Sequence, residues 1–570
     1  MRQLTNQSVN VIRRGFVCAD GRAVRGIEHA DGQHSNVPMA PAGRPDPVPM
    51  VPAGGGRRDP LAPSARSAAG AGAEAGAAAG AGAGAAAGAG GWTRRQVLAL
   101  VVLCLAALLD TIDVTVVNVA MPAIKASLGF SEGGLAWMVN AYMVPFGGFL
   151  LLGGRAGDLF GRRRVLLSGT LVFTAASLAS ALARNSAMMI VTRAAEGLAA
   201  AFVVPMTLAI LGDVFPKGPA RNRAFAVWGG VSAAAGTLGL ILGGLLVSAV
   251  GWRWIFFINL PVGALVMIAA ARVLPADGTQ AADSAQPGRR QPFDLIGAVA
   301  ATGGASLLAY AIAQAASHPW GSARTISLLA GAAALLVAFV LRERATPNPL
   351  LPLSLLRNNS VSGANLTSAL LSSAVFAMFY ATTLYMQLVL RYSALRTGLY
   401  YIPLGVSILT AAGLAPQLVR ALGVRLTTGA GAALSTAGLL LFARIPVDAN
   451  PVTGIVVPSV ITGLGGGLVL VATSIAGLTG VPATHRGVAS ALLNASRQLG
   501  GALGLAAIST VMASSAAGFK GSAQAALTHG FRAGFTVGAG LLIGAVVAAM
   551  LLLREDGRGE RINPLELQAG

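Results

Sequence analysis

Of the 21 acidic residues in this chain, three fall inside long apolar segments: Asp110, Asp113 and Glu196. A carboxylate at the centre of a bilayer costs about 2.5–3.5 kcal/mol on insertion scales, so each is expected to face a cavity or a partner. Asp110 and Asp113 stand three residues apart, on one side of a predicted helix. Two carboxylates so close repel when both are ionised, which suits the pair to exchanging a proton; the alternative is that they satisfy a helix end or a fixed cation. Arg193 and Glu196 are also three apart and can pair along one helix. That pair is either a static neutral unit or a relay in which the arginine drives off a proton held nearby. Arg497 has no acid on its own predicted helix and needs a partner elsewhere.

Other chemistries find no constellation. The five histidines, His29, His34, His318, His485 and His529, lie in tails or loops, and no Cys/His spacing suits a metal. The glycine-rich segments lack the Gly-Lys-Ser/Thr of a phosphate loop, which argues against direct use of ATP. The expectation is a protein that is not an enzyme and carries no cofactor. Cys18 and Cys104 form no framework, since one lies in a polar tail and the other in an apolar run.

The elements that position these charges follow from composition. The chain has 570 residues, 54% hydrophobic and 11% charged, with a mean hydropathy of +0.68. Soluble proteins carry about 25% charged residues. This balance excludes a soluble enzyme, a disulfide scaffold and a disordered chain. The net charge of +20 comes from basic residues scattered through short loops and a tail, so nucleic acid is not an expected partner. From residue 97 onward, apolar stretches long enough to span about 30 Å as helix recur. They lie at 97–119, 134–154, 165–183, 187–212, 224–250, 254–272, 295–316, 325–341, 361–389, 398–419, 426–443, 453–477, 487–513 and 532–553, fourteen in all. Starting from the cytoplasm, the connecting segments hold 21 basic residues inside and 9 outside. By the positive-inside rule both termini are cytoplasmic.

The predicted fold is therefore an all-α polytopic membrane protein: a disordered tail over 1–91, six helices over 92–273, a linker over 274–293, two additional helices over 294–342, six more over 343–553, and a cytoplasmic tail over 554–570. An internal echo supports two related halves. Asp158-Leu-Phe-Gly161-Arg162-Arg163 follows the second helix and Arg420-Ala-Leu-Gly423-Val-Arg425 follows the tenth. Duplicated carriers place the substrate between their halves, near the midplane. On the fifth helix Gly229, Ser232, Gly236, Gly239 and Gly243, with Gly244 beside them, make a small-residue face for close helix approach. On the thirteenth, Ser490, Asn494, Arg497, Gly501 and Gly504 form a polar stripe running into a small one, a candidate cavity lining.

Several segments resemble one family. Asp113-Val-Thr-Val-Val-Asn118-Val-Ala-Met-Pro122 resembles the D-x-T-[I/V]-V-N-V-A-L-P signature of the fourteen-helix drug:proton antiporter branch of the major facilitator superfamily. Gly154-Arg-Ala-Gly-Asp158-Leu-Phe-Gly161-Arg-Arg-Arg164 resembles the superfamily's loop motif, with Ala156 for the usual Leu and Leu159 for the usual Arg or Lys. Arg193-Ala-Ala-Glu196-Gly197 resembles R-x-x-Q-G, with Glu for Gln, and Gly239-Leu240-Ile-Leu-Gly243-Gly244 resembles G-P-x-x-G-G, with Leu for Pro. Trp252–Gly263, Phe293-Asp294-Leu-Ile-Gly297 and Asn494-Ala-Ser-Arg497-Gln-Leu-Gly500-Gly501 are similar to segments of the same branch.

The resemblance covers residues 95–553. It implies proton-driven export of drugs, antibiotics or other amphipathic small molecules through the cell membrane, by a monomer whose partners are substrate, protons and the lipid bilayer. It further implies proton coupling at Asp113, with Asp110, Glu196 and Arg193 beside it. Asp158, Gly161, Arg162 and Arg163 become a gating loop, and Asn118, Asn494 and Arg497 cavity-lining residues. The residues alone reach a two-halved carrier with titratable intramembrane carboxylates. They leave open proton-coupled import of a polar metabolite or peptide, and a membrane receptor or scaffold.

Overall fold

A computed structural model describes residues 92–215, 218–277, 294–314, 320–346, 349–482 and 485–554. The expected tail over 1–91, most of the linker and nearly all of the terminal segment lie outside these residues. Among the described residues there is no strand, and thirteen helices are long and apolar enough to cross a membrane. Lipid offers no partner to a backbone N–H or C=O, so a spanning segment must satisfy these groups within itself.

The membrane helices are α1 (Arg94–Leu128), α2 (Glu132–Phe160), α3 (Arg162–Ala181), α4 (Ser186–Val214), α5 (Pro219–Ala249) and α6 (Trp254–Val273). They continue as α7 (Leu295–Gln314), α8 (Ala323–Ala345) and α9 (Asn359–Leu384), the last ending in a π turn, Tyr385–Val389. After a seven-residue helix, Ala394–Tyr400, one 41-residue helix, Ile402–Phe442, breaks at Gly423. Its arms are α10 (402–422) and α11 (424–442). Then follow α12 (Val457–Ala476), α13 (Arg486–Ala517) and α14 (Ala523–Leu552). The break turns thirteen long helices into the fourteen expected spans.

Most helices outrun the apolar stretches that announced them, because capped ends keep polar residues helical. Thr93 and Gln96 form a reciprocal capping box at the start of α1. Ser131, Asn185, Ser322, Asn358 and Ser522 cap α2, α4, α8, α9 and α14. The largest differences lie at the two echoed segments. Residues 155–164 and 420–425 were expected as loops; each is helical except for one glycine. Gly161 (φ 94°, ψ 130°) joins α2 to α3, and Gly423 (φ 85°, ψ 164°) joins α10 to α11. Both occupy a region of backbone space that is essentially reserved for glycine.

Helices α1–α6 pack among themselves, as do α9–α14. The two groups meet where α2 lies on α13, and where α5 lies on the Ala394–Tyr400 helix and α10. The additional pair sits at the first seam: Trp137 of α2 packs on Tyr310 of α7 at 5.8 Å, and Thr510 of α13 donates to the Ile312 carbonyl at 3.2 Å. Asp294 caps α7, accepting from Gly297 N at 2.9 Å, and takes Arg342 Nε of α8 at 3.3 Å. Glu343 accepts from Leu351 N at 3.0 Å, which fixes the chain leading to α9. Helix α8 packs on α7 and is otherwise largely exposed.

Replacing Gly161 or Gly423 with Ala forces a side chain into a disfavoured backbone region, a cost of about 1–3 kcal/mol. Gly229→Ala is the control, since a Cβ there meets nothing within 4 Å and alanine favours helix. Thermal unfolding in detergent should show a lower midpoint for Gly161→Ala and Gly423→Ala, with Gly229→Ala unchanged or higher. Equal midpoints would contradict the backbone assignment.

Candidate functional site

Two helices bring one cation and two carboxylates together in the first half. Asp113 of α1 and Glu196 of α4 are fully buried, and Arg193 of α4 is 1% exposed. Arg193 Nη1 donates to Asp113 Oδ2 and, at 2.5 Å, to Glu196 Oε2. The remaining carboxylate oxygens are also held. Asn259 Nδ2 of α6 donates to Asp113 Oδ1 at 2.8 Å and reaches Ser177 Oγ at 2.9 Å, while Ser180 Oγ donates to Glu196 Oε1 at 2.9 Å. A guanidinium removed from water needs such acceptors, because a buried charge left unpaired costs several kcal/mol; both carboxylates meet Nη1, and Nε has no hydrogen-bond partner among the described residues.

Arg193 also stacks. Its Cζ lies 4.5 Å from the centre of the Tyr142 ring on α2 and 6.0 Å from that of Phe256. Gly197 makes this seat possible: a Cβ there would stand 2.8 Å from the Tyr142 carbonyl carbon, so any larger residue would push α4 off α2. The Tyr142 hydroxyl donates to Asp110 Oδ1.

Asp110 and Asp113 have different surroundings. Asp113 points into the closed cluster, whereas Asp110 lines a cavity of about 300 Å³ between the halves. Thr115 and Asn118 of α1, Phe146 of α2, Gly236 and Thr237 of α5, Phe376 and Phe379 of α9, and Tyr401 and Leu404 near the start of α10 share its wall. From α13 the wall receives Gln498. The expectation that Asn494 and Arg497 line the cavity is therefore corrected. Arg497 turns toward α12, where Nη2 donates to the Leu470 carbonyl at 3.0 Å and Ser474 Oγ at 2.9 Å. Asn494 faces the same side, 3.5 Å from Arg497 Nη1. The partner Arg497 required is thus a set of neutral oxygens.

The fifth-helix glycines divide their work. Gly236 faces the cavity, while a Cβ at Gly239 or Gly243 would strike α1 at Ile112 or Val116. Gly244 packs on Ala394 and Leu395 of the other half, where a Cβ would lie 2.6 Å from the Ala394 carbonyl oxygen. At this end Gln387 Nε2 also donates to the Val119 carbonyl at 2.9 Å and Leu395 N to Ser248 Oγ at 3.2 Å. These contacts close the cavity at the end of the bundle where α1 and α5 finish.

At the opposite end, the arginines after Gly161 meet carboxylates from elsewhere in the first half. Arg162 Nη1 binds both oxygens of Asp213, at 2.6 and 2.8 Å. Asp277 caps α3, accepting from the backbone N–H of Arg163 at 2.9 Å and of Arg164 at 3.0 Å. The Asp158 side chain lies outside the described residues. Sequence reasoning missed Asp213, Asp277, Ser177, Ser180 and Tyr142. It quoted Asn259 within the Trp252–Gly263 segment without giving it a role.

Known proteins share this architecture. The Major Facilitator Superfamily profile matches residues 103–505. The cephamycin export protein CmcT of Amycolatopsis lactamdurans is 38% identical over 422 residues, 74% of this chain and 86% of that one. The puromycin resistance protein pur8 of Streptomyces alboniger is 35% identical over 460 residues, 80% of this chain and 90% of its own. Among solved structures, the POT family transporter PepTSo superposes with a TM-score of 0.58 at 15% identity, over 81% of this chain and 98% of its own, a likeness of fold. With fourteen spans in two six-helix groups and an inserted pair, and with these matches over most of its length, the chain belongs to the major facilitator superfamily.

Proposed function

We propose that this chain exports amphipathic small molecules, antibiotics among them, across the cell membrane in exchange for protons. The observation that carries the proton half of the reading is the buried cluster. One guanidinium faces two carboxylates, Asp113 and Glu196, so a single bound proton brings the cluster to neutrality. The cargo half is supported by the cavity beside it and by relatives named for cephamycin export and for puromycin and lincomycin resistance.

The geometry suits an alternating exchange. With the cavity open to the exterior, a proton joins the cluster on Asp113 or Glu196. With it open to the cytoplasm, cargo enters and the proton leaves. The small-residue contacts of Gly244 with Ala394 and of Gly398 with the Leu240 carbonyl close the end proposed to be extracellular. A contact made by backbone and small side chains leaves no long side chain to withdraw when the halves part there. At the proposed cytoplasmic end, the Arg162–Asp213 and Asp277 contacts brace α3 against the ends of α4 and α6. They are suited to holding the first half rigid as it rocks. Each proton moving inward yields about 2.3 kcal/mol per 100 mV, enough for a roughly tens-fold gradient of an uncharged cargo, whereas exchange for a monovalent cation draws on the pH difference. The cavity is formed within one chain, in keeping with a monomer as the working unit.

Two outcomes test this reading. In cells expressing the chain, accumulation of a fluorescent amphipathic drug should fall, and a protonophore should restore it; Asp113→Asn should insert and fold but lose this efflux. A variant that still builds a protonophore-sensitive gradient would remove Asp113 as the carrier and leave Glu196. The orientation is tested separately in a background lacking Cys18 and Cys104. Ser322→Cys and Asn450→Cys should react with an impermeant thiol reagent from outside, and Arg357→Cys only after lysis. Labelling of Arg357→Cys in intact cells would overturn the cytoplasmic placement of the termini.

A further inference from the structure

We propose that an alkali-metal cation is held between Asp294 and Glu343, where the inserted helix pair begins and ends, and that it fastens this pair to the chain entering the second half. The site shares no residue with the cavity or the Arg193 cluster and does not depend on the exchange reading above.

A buried carboxylate needs partners for both oxygens, because a charged oxygen without one forfeits its hydration. Asp294 and Glu343 are 4% and 3% exposed. Each spends one oxygen on the protein. Asp294 Oδ1 accepts from Gly297 N and Arg342 Nε, and Glu343 Oε2 accepts from Leu351 N. The other two, Asp294 Oδ2 and Glu343 Oε1, are buried and accept no hydrogen bond among the described residues. These two oxygens converge. A Cβ at Gly297 would stand 3.0 Å from Asp294 Oδ2 and 3.3 Å from Glu343 Oε1, so the missing side chain leaves a point flanked by both. Thr346, three residues beyond Glu343, adds a hydroxyl oxygen that is likewise buried and without a partner.

The donors select the class of ligand. Carboxylate oxygens suit a hard cation and are a poor set for zinc or copper, which favour nitrogen and sulfur. Two carboxylates and Arg342 leave one negative charge, so a single monovalent cation brings the buried group to neutrality. Arg342 does not fill the place itself, since its Nε is bonded to Oδ1 and its side chain is 45% exposed. Magnesium fits poorly, because it demands octahedral oxygens at about 2.0–2.1 Å and gives up water reluctantly.

The location gives the ion its task. Asp294 caps the start of α7, Glu343 lies in the last turn of α8, and Glu343 Oε2 holds the chain leading to α9. Beside them Ala298 and Leu350 pack with Leu152 of α2. An ion between the two carboxylates therefore ties both ends of the inserted pair together, at the seam where the first half meets the chain into the second. It is a resident ion that joins helices and not a cargo.

The test is thermal unfolding of the purified full-length chain in nanodiscs of zwitterionic lipid, at one alkaline pH and constant ionic strength, with N-methylglucamine replaced by sodium or potassium. An ion that binds only the folded chain raises its midpoint with concentration. Sodium or potassium should raise it by at least about 2–4 °C at saturation. Equilibrium dialysis against radioactive sodium, or against rubidium in place of potassium, should find one ion per chain that Glu343→Gln lacks. That variant places an amide donor where the ion sits, so it should fold and melt independently of either ion. Gly297→Ala should also lose the ion, by filling the point between the oxygens. A midpoint that follows pH but neither ion would put a shared proton in this place and overturn the site, as would a bound ion retained by folded Glu343→Gln. A response confined to magnesium or calcium would overturn the charge assignment.

Discussion

A guanidinium inside a membrane protein must be surrounded by acceptors, and much of the first half is arranged around that requirement. Arg193 draws Asp113 from α1, Glu196 from its own helix and the ring of Tyr142 from α2. The oxygens it leaves are completed by Asn259 from α6 and Ser180 from α3. Five helices are thereby tied to one side chain. The closeness of α2 and α4 at Gly197, and the exclusion of Asp113 from the cavity wall, both follow from this seat.

The second half answers the same requirement differently. Arg497 has no carboxylate partner among the described residues and is solvated by a carbonyl and hydroxyls of α12 and by Asn494. One half thus holds a cation between two carboxylates. The other holds one among oxygens that do not titrate. This asymmetry lies on either side of a cavity whose wall carries, among the described residues, one carboxyl group, that of Asp110.

The spans and the charged members of the site were legible because both leave strong marks in a sequence: apolar runs of helical length, and rare acids within them. The Arg193–Glu196 spacing announced their pairing. The neutral partners left no such mark. Tyr142, Ser177 and Ser180 are ordinary residues of apolar helices until the fold sets them beside a charge. The direction of the α13 stripe was misread because helical spacing tells which residues share a face and not what that face meets; Arg497 follows the acceptors on α12, and Gln498, one position on, turns to the cavity. The α5 glycines were likewise one face in sequence and several contacts in space. The charge-rich segments at 155–164 and 420–425 read as loops because hydropathy falls there, although the backbone continues as helix up to a single glycine.

Those two glycines carry a consequence for descent. Gly161 and Gly423 share a backbone geometry barred to other residues, at matching points of the two halves, while the residues three before them are Asp158 and Arg420, opposite in charge. Side chains around such a hinge can drift by single substitutions, whereas the hinge residue has no neighbouring amino acid through which to pass. An ancestral doubling would therefore stay recorded in the torsion angles of the main chain after its spelling in the side chains had worn away.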